Sequence, residues 1–131
     1  MKFKHNKDHM LFFTIALELQ ILAYDMALYA RDHLGVPFVI TSTRSSIETD
    51  KAIGRVSSSH REGRAFDLSI RGWDSAVIKD FVNHFNKKHE NIAAISGKTL
   101  KPVLCVYGDE RHLSHIHVQV HKRYKVNYPK E

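Results

Sequence analysis

The chain has a single cysteine, Cys105, among its 131 residues. One thiol cannot form an internal disulfide, and it cannot supply a metal site built from several thiolates. Cys105 lies in an apolar run at residues 103–107, where a free cysteine packs as a small hydrophobic residue. The sequence therefore excludes a disulfide scaffold and a cysteine-based zinc finger.

The chain also lacks an uninterrupted apolar run that could cross a membrane. The apolar-rich stretch at residues 10–30 contains Glu18, Gln20 and Asp25. A bilayer-spanning helix needs about 20 apolar residues with few charges. No small-residue cleavage site of a signal peptide follows this stretch. Its apolar residues recur at three- and four-residue spacing, so we predict an amphipathic helix that stops at Gly35 and Pro37.

Acidic residues are fewer than basic ones, 14 against 20, which gives a net charge of +6. Such a surface attracts anionic partners, which include nucleic acid, a membrane surface and a bacterial wall with anionic polymers. The chain has no basic helix, no paired-cysteine finger and no aromatic-basic signature for single strands, so we expect no nucleic-acid partner. Its length suits one domain over residues 1–131, and we expect a monomer.

The remaining patterns predict an α+β domain with a small, mainly antiparallel sheet and helices packed on one face. Asp74 is the predicted N-cap of a helix that reaches Lys88. The polar stretch at residues 45–59 predicts a loop with little regular structure. Alternating or β-branched runs predict strands at residues 37–42, 65–70, 103–107 and 115–121.

Two segments carry residues that ligate metals. Residues 58–67 read Ser-Ser-His-Arg-Glu-Gly-Arg-Ala-Phe-Asp, and His115-Ile116-His117 follows about fifty residues later. If His60 and Asp67 share one ion, the chain must fold back between them, because seven extended residues span about 23 Å. Gly63 suits that reversal, since glycine adopts positive φ without steric cost.

The second segment alternates polar and β-branched residues from His115 to His121. A strand with this period places His115, His117, Gln119 and His121 on one face. The spacing of His117 and His121 also fits a helical zinc pair, but three β-branched residues and the period of two favour the strand.

The pattern Ser-x-His-x-x-Gly-x-Ala-x-Asp with a later His-x-His resembles the zinc D-alanyl-D-alanine carboxypeptidase and L-alanyl-D-glutamate endopeptidase family. This family is related to lysostaphin-type endopeptidases and to the hedgehog signalling domain. The resemblance covers residues 37–120 and fills every position of the motif. It implies one zinc ion on the face of the sheet opposite the helices, with His60, Asp67 and His117 as ligands. A fourth coordination position would be left for water, as in catalytic sites.

The resemblance also implies two substrate contacts. Arg44 would grip a substrate carboxylate, to which its planar fork is suited, although Thr43 stands where the family commonly has tyrosine. Ser58 would help to hold the substrate, and a hydroxyl that only caps the loop is the alternative. Gln119 stands where the family often has an aspartate, which leaves the support of His117 open.

The general base is less well determined. Part of the family has a glutamate three residues before the last ligand, and Ser114 occupies that position here. Members with His-x-His use the first histidine near the water, so His115 is the expected catalytic base or oxyanion partner, with an ordinary pKa near 6.5. His112, Asp109 and Glu110 are rivals by their proximity in sequence.

The implied function is hydrolysis of peptide bonds in peptidoglycan stem or cross-bridge peptides by a zinc-bound water. The enzyme would act as a D-Ala-D-Ala carboxypeptidase or as an endolysin-type endopeptidase. Without a signal peptide, we expect it to be made in the cytoplasm and to reach the bacterial cell wall after phage-type release, where its basic surface would favour anionic wall polymers. A zinc-binding module that binds the wall or a protein partner without hydrolysis is the main alternative, and a nucleic-acid-binding protein is the third.

Overall fold

The computed structural model describes residues 1–108 and 114–127. In these two ranges, the strands are β1 (Lys2–Phe3), β2 (Val39–Ser42), β3 (Ala65–Ser69), β4 (Ala94–Ile95), β5 (Pro102–Val103), β6 (Cys105–Val106) and β7 (His115–Gln119). The α-helices are α1 (Asn6–Phe12), α2 (Leu17–Tyr29), α3 (Ile47–Ala52) and α4 (Ser75–Lys88). A π-helical turn at Ala30–Leu34 and short 3-10 helices at Glu90–Ile92 and Lys122–Tyr124 complete this part of the chain.

The principal sheet has five strands in the order β1-β2-β3-β7-β6. The expected α+β class is confirmed, but the sheet is mixed rather than mainly antiparallel, because the two-residue β1 joins the edge parallel to β2. The pairs β2–β3, β3–β7 and β7–β6 are antiparallel. Strands β4 and β5 form a separate antiparallel hairpin.

The two central strands divide their side chains between a core face and an open face. Phe66 and Leu68 of β3, with Ile116 and Val118 of β7, are all fully buried. They belong to one apolar cluster with residues of α2 and α4, including Phe81. Because side chains alternate along a strand, the residues between them point to the opposite face. That face carries the polar residues of both motifs.

The first apolar stretch forms two helices rather than the single one we predicted. The hydroxyl of Thr14 donates to the carbonyl oxygen of Leu11 at 2.7 Å, and the N–H of Ala16 donates to that of Gly63 at 2.9 Å. The first contact closes the turn that ends α1, and the second gives the N–H of Ala16 a partner in a distant segment instead of in the helix. The helix is therefore interrupted between α1 and α2. The predicted stop is confirmed, since the helical backbone ends at Gly35 with φ +63°.

Helix α2 is apolar on both sides, so the predicted amphipathic character is wrong. Leu19, Leu22 and Met26 are buried in the core. The other side leaves large apolar side chains 51–64% exposed, namely Leu17, Ile21, Tyr24 and Leu28. Among the described residues, none of the helices is both long and apolar enough to cross a membrane.

The stretch at residues 45–59 contains a helix, contrary to the prediction of a loop with little regular structure. Ser46 caps α3, because its side-chain oxygen accepts the N–H of Thr49 at 3.1 Å. Asp50 of α3 is only 1% exposed. The short helix therefore brings one carboxylate into the interior beside the motif.

Other predictions were confirmed or adjusted in detail. Asp74 caps α4 by accepting the N–H of Val77 at 2.9 Å, as predicted. Cys105 is 2% exposed within the core, and burial raises the pKa of its thiol. The predicted strand at residues 103–107 is divided between β5 and β6. The last strand ends at Gln119, so His121 lies beyond it and its ring accepts the N–H of Arg123 at 3.1 Å.

Candidate metal centre

The chain reverses at Gly63, which has φ +66° as the motif predicted. The N–H of Gly63 donates to the carbonyl oxygen of His60 at 3.1 Å, and β3 begins two residues after the turn. A Cβ at position 63 would lie 3.3 Å from both Arg44 Nη1 and Ile15 Cα, so the corner is crowded as well as left-handed. This tight corner returns the chain from His60 to Asp67.

The register of the central strands brings the second motif to the first. Asp67 of β3 pairs directly with His117 of β7, and Ser69 pairs with His115. Directly paired residues of antiparallel strands have Cβ atoms about 4.5–5.5 Å apart. Asp67 and His117 therefore meet on the open face of the sheet, where His60 joins them from the corner.

Side chains of His60, Asp67 and His117 converge as the motif predicted. One ligand atom from each lies within 4.8 Å of the other two. Asp67 Oδ1 is 3.3 Å from His60 Nε2 and 2.9 Å from His117 Nδ1. All three residues are at least nine-tenths buried. Buried side chains of this kind are held in place by their surroundings, which favours a defined site over a mobile surface group.

The ring of His60 is oriented by a backbone carbonyl. Its Nδ1 lies 2.6 Å from the carbonyl oxygen of Thr43, which can only accept, so Nδ1 carries the proton and Nε2 turns to the site. Thr43 is held in turn by buried Asp8, whose Oδ1 accepts both the N–H and the hydroxyl of Thr43 at 3.0 Å. A metal-ligating histidine typically has such a carbonyl partner on its other nitrogen.

The ring of His117 is oriented by Gln119. His117 Nε2 lies 3.1 Å from Gln119 Oε1, and a proton on Nε2 donated to this oxygen leaves the lone pair of Nδ1 facing Asp67. Gln119 thus supplies the acceptor that the aspartate of the family supplies at this position. The support of His117, open on sequence grounds, comes from the neighbouring residue on the same face of β7.

The carboxyl group of Asp67 is ionised at neutral pH. Burial by itself would raise its pKa, but in the metal-free protein hydrogen bonds from the rings of His117 and His60, protonated on the nitrogens that face Asp67, and the charges of these rings lower the pKa well below its ordinary value. With a metal bound, the same two nitrogens would present lone pairs to the ion instead. An ionised carboxylate between two imidazoles is a donor set that binds zinc.

Zinc fits the separations of these atoms. Ligands about 2.0–2.2 Å from a tetrahedral zinc lie roughly 3.3–3.5 Å from one another. The 3.3 Å from Asp67 Oδ1 to His60 Nε2 matches this value, and the 2.9 Å from Asp67 Oδ1 to His117 Nδ1 is about 0.4 Å shorter. Two histidines and one carboxylate are the set found in catalytic zinc sites, where a further position remains open.

Comparison with known families gives an independent result. The family model described as Peptidase M15 matches residues 13–119, which is well over half of the chain. The chain belongs to the peptidase M15 family. M15 peptidases are zinc-dependent metallopeptidases, so membership places the chain among the hydrolases. No significant match was found among curated proteins or among solved structures.

The three side chains of this M15 peptidase lie at the floor of an open cleft of about 1060 Å³. Residues of the α3–β3 connection line one part of it, including Arg55, and the β4–β5 hairpin lines another, including Lys98. His115 also lines the cleft, with its side chain 26% exposed and its Nε2 3.8 Å from Asp67 Oδ1. The three rivals for the base, Asp109, Glu110 and His112, lie outside the described residues.

The two expected substrate contacts of the M15 peptidase have different surroundings. Arg44 is 5% exposed, and its guanidinium donates to the carbonyl oxygens of Thr14 and Val126. It lines a smaller cavity of about 290 Å³ that shares Arg55 with the main cleft. Within the described part of the chain, the cleft lining includes the neighbours of Ser58 on both sides but not Ser58, whose backbone carbonyl oxygen accepts the N–H of Glu62 at 3.0 Å.

Sequence reasoning missed three residues that support the site, namely Asp8, Asp50 and Arg55. Arg55 Nη2 lies 3.6 Å from Asp67 Oδ2, and Asp50 Oδ1 lies 3.1 Å from Arg55 Nη1. For Asp50, the Ser46 cap of α3 was an available signal. No periodicity links Asp8 or Arg55 to the motifs, so only the tertiary structure identifies them.

Proposed function

We propose that this M15 peptidase hydrolyses peptide bonds in peptidoglycan stem or cross-bridge peptides with one zinc ion held by His60, Asp67 and His117. The observation that carries the proposal is the convergence of these three buried ligands at the floor of a cleft open to solvent. A closed structural zinc site would have four protein ligands and no adjoining cavity. Membership of a zinc peptidase family supports the same reaction class.

When bound, zinc supplies Lewis acidity, which polarises a carbonyl group and makes a water molecule acidic enough to attack near neutral pH. The chain's own residues then have separate tasks. Thr43 and Gln119 hold the two rings in the tautomers that turn a lone pair to the site. Ionised Asp67 provides the negative charge of the donor set.

His115 is the proposed general base. Its ring is half-buried at the edge of the three ligands, where it can reach both the floor of the cleft and a substrate above it. It would take a proton from the attacking water and return it to the amine that leaves, a cycle for which imidazole is suited because it can accept and donate a proton near neutral pH. Ser114 has no carboxyl group and cannot perform this transfer.

The cleft suits a peptide with free carboxylates. Its walls combine aliphatic side chains, among them Val56 and Ile95, with the cation Lys98. Arg55 also lines the cleft, but its charge is paired with Asp50 and Asp67. Arg44 lines the smaller cavity, so a substrate carboxylate that reached this cavity would contact it. We therefore propose that Arg44 binds a substrate carboxylate there. Ser58 is proposed to help to hold the substrate from its position between Ser57 and Ser59, both of which line the cleft.

The basic surface suits an anionic bacterial wall, since a net charge of +6 raises the local concentration of the enzyme near polyanions. We propose action at the wall after phage-type release. Binding to purified wall that weakens steeply as salt rises from 50 to 500 mM supports this proposal, and salt-independent binding contradicts it.

The test is digestion of purified peptidoglycan with and without a chelator, with the new termini identified by mass spectrometry. We expect zinc-dependent termini from the wild-type protein. His115→Ala is expected to retain zinc and lose activity by about 10²–10⁴-fold, the usual contribution of a general base. His121→Ala is the matched control, because His121 lies beyond β7 and bonds Arg123.

A zinc-binding module without hydrolysis is the second candidate. It is favoured by one observation, the serine at position 114 where part of the family has its glutamate. Zinc-dependent binding to walls of several chemotypes, with no new termini released from any of them, would support the binding module and contradict the proposed hydrolase activity.

A further inference from the structure

The two carboxylate oxygens of Asp67 face different partners. Oδ1 faces the site, 2.9 Å from His117 Nδ1 and 3.3 Å from His60 Nε2. Oδ2 forms an ion pair with Arg55, whose Nη2 is 3.6 Å distant. One oxygen is thus presented to a metal while the other is paired with a fixed positive charge.

Arg55 is held where it stands by a buried carboxylate. The side-chain Nη1 of Arg55 lies 3.1 Å from Asp50 Oδ1, and the backbone N–H of Arg55 donates to the backbone carbonyl oxygen of Asp50 at 2.8 Å. Asp50 is 1% exposed and also accepts from Ser45 Oγ at 2.7 Å. Two contacts from one residue fix both the backbone and the side chain of Arg55, whose side chain is only 19% exposed.

Asp50 needs a second cation for its other oxygen. Arg61 Nη1 lies 3.0 Å from Asp50 Oδ2, and the Arg61 side chain is 33% exposed. A buried carboxylate between two guanidinium groups has the pairing that a buried charge requires. Of the two arginines, Arg55 is the one that also forms an ion pair with Asp67.

We propose that Arg55, anchored by Asp50, is a positioning residue for the metal ligand Asp67. With Arg55 paired to Oδ2, Asp67 would ligate a metal through Oδ1 alone, which would leave room there for water and substrate. The inference rests on the proposed function, since it assigns a task to Arg55 in the same metal centre. Partners of this kind, one step removed from the metal, change metal affinity by about 10–100-fold when they are lost.

The competing explanation is that the two arginines only stabilise the fold around Asp50. Each arginine contacts a different oxygen of Asp50, at 3.1 Å for Arg55 and 3.0 Å for Arg61, so a purely structural role predicts similar effects when either charge is removed. A positioning role predicts that only Arg55 affects the metal. Arg61→Met is therefore the matched control for Arg55→Met.

The experiment measures zinc affinity of the full chain by competition with a chromophoric chelator. Thermal unfolding of the metal-free proteins establishes that each variant is folded. We expect Arg55→Met to bind zinc about 10–100-fold more weakly than wild type, and Arg61→Met to remain within about threefold. Arg55→Lys restores the charge without the planar fork and is expected to fall between wild type and Arg55→Met.

A spectroscopic measurement separates positioning from a general loss of stability. Cobalt(II) absorbs more weakly in the visible region as its coordination number rises from four to five or six. We expect lower absorptivity for cobalt-loaded Arg55→Met, because Asp67 can then ligate through both oxygens, and an unchanged spectrum for Arg61→Met. If Arg55→Met does not fold, Arg55→Lys carries the test, with an expected loss of about fivefold in affinity.

The proposal is overturned if Arg55→Met binds zinc as wild type does, or if both methionine variants lose affinity equally. If the wild-type protein binds no zinc, this proposal and the proposed function fail together. If it binds zinc but releases no termini from peptidoglycan, the proposed function alone fails, and the ratio of affinities still decides the role of Arg55.

Discussion

The hydrogen bond between His117 and Gln119 offers a direct test of the metal centre. Gln119→Leu keeps the approximate size of the side chain and removes the acceptor that lies 3.1 Å from His117 Nε2. The ring then loses the contact that turns Nδ1 toward Asp67. We expect weaker zinc binding with little change in fold.

The magnitude follows from the burial of this contact. One neutral hydrogen bond contributes about 0.5–1.5 kcal/mol, and each 1.4 kcal/mol is a factor of ten in affinity. Gln119 is half-buried, so water can replace part of the lost bond. These values correspond to about 2- to 12-fold in affinity, and because water offsets part of the loss we expect about three- to sixfold weaker binding. This is below the effects of about 10–100-fold known for partners of metal-bound histidines.

Gln119→Glu gives the opposite expectation. A carboxylate is a stronger acceptor for the ring N–H and makes the imidazole a better ligand, so its zinc affinity should equal or exceed that of wild type. Competition with a chelator at fixed pH measures all three proteins. Gln20→Leu in α2 is the control, because Gln20 donates to Ile15 at 3.0 Å and takes no part in the site.

Two results would refute the reasoning about Gln119. One is zinc affinity of Gln119→Leu within twofold of wild type. The other is weaker binding by Gln119→Glu than by Gln119→Leu, since a negative acceptor beside the ring must help a ligand that uses Nδ1.

Three further predictions concern groups outside the metal centre. Cys105, 2% exposed with a pKa raised by burial, should react with a thiol reagent only after denaturant unfolds the protein. Burial would raise the pKa of Asp25, but hydrogen bonds to His89 and Lys88 lower it, so its contribution to stability is present above pH 4 and is lost as pH falls through the lowered pKa. Urea unfolding should show Asp25→Asn less stable by about 0.5 kcal/mol at pH 7, a small value because the group is partly exposed, with no difference at pH 2. Asp74→Ala removes the N-cap of α4 and should cost about 1 kcal/mol in the same assay.

The grouping of the three metal-ligand candidates was predictable because it depends on local rules. Glycine at position 63 permits the left-handed turn, and alternation along β3 places Asp67 on the face opposite Phe66. Alternation along β7 does the same for His117. The register of β3 on β7, which pairs Asp67 with His117, could not be predicted from local rules. The resemblance of the complete motif to a zinc peptidase family indicated that these residues meet.

The supports of the site were not predictable, because each joins segments without a shared period. His60 bonds the carbonyl oxygen of Thr43, which any residue type would offer. The Arg44 guanidinium contacts two backbone carbonyls that lie 30 and 82 residues away in the chain. The resemblance to a family predicts that an arginine occupies position 44. It does not predict which groups the long side chain of Arg44 contacts.

The interruption between α1 and α2 was also not predictable, because it too depends on contacts with distant segments. We predicted one helix over residues 10–30, yet the N–H of Ala16 donates to the carbonyl oxygen of Gly63 and the carbonyl oxygen of Thr14 accepts from Arg44. Tertiary partners at Gly63 and Arg44 thus compete with the intrahelical bonds at this point. Local pattern predicted the end of the helical region at Gly35, but it missed the start at Asn6 and the interruption.

The crowded corner at Gly63 bears on any attempt to shorten or transplant this enzyme. Its carbonyl oxygen accepts the N–H of Ala16, and Ile15 lies where a side chain at position 63 would have to go. A fragment that began at residue 37, where the motif resemblance starts, would carry every proposed zinc ligand. It would lack Ile15 and Ala16, which contact the turn after His60. For engineering, the smallest working unit must include the interrupted helical segment near the N-terminus.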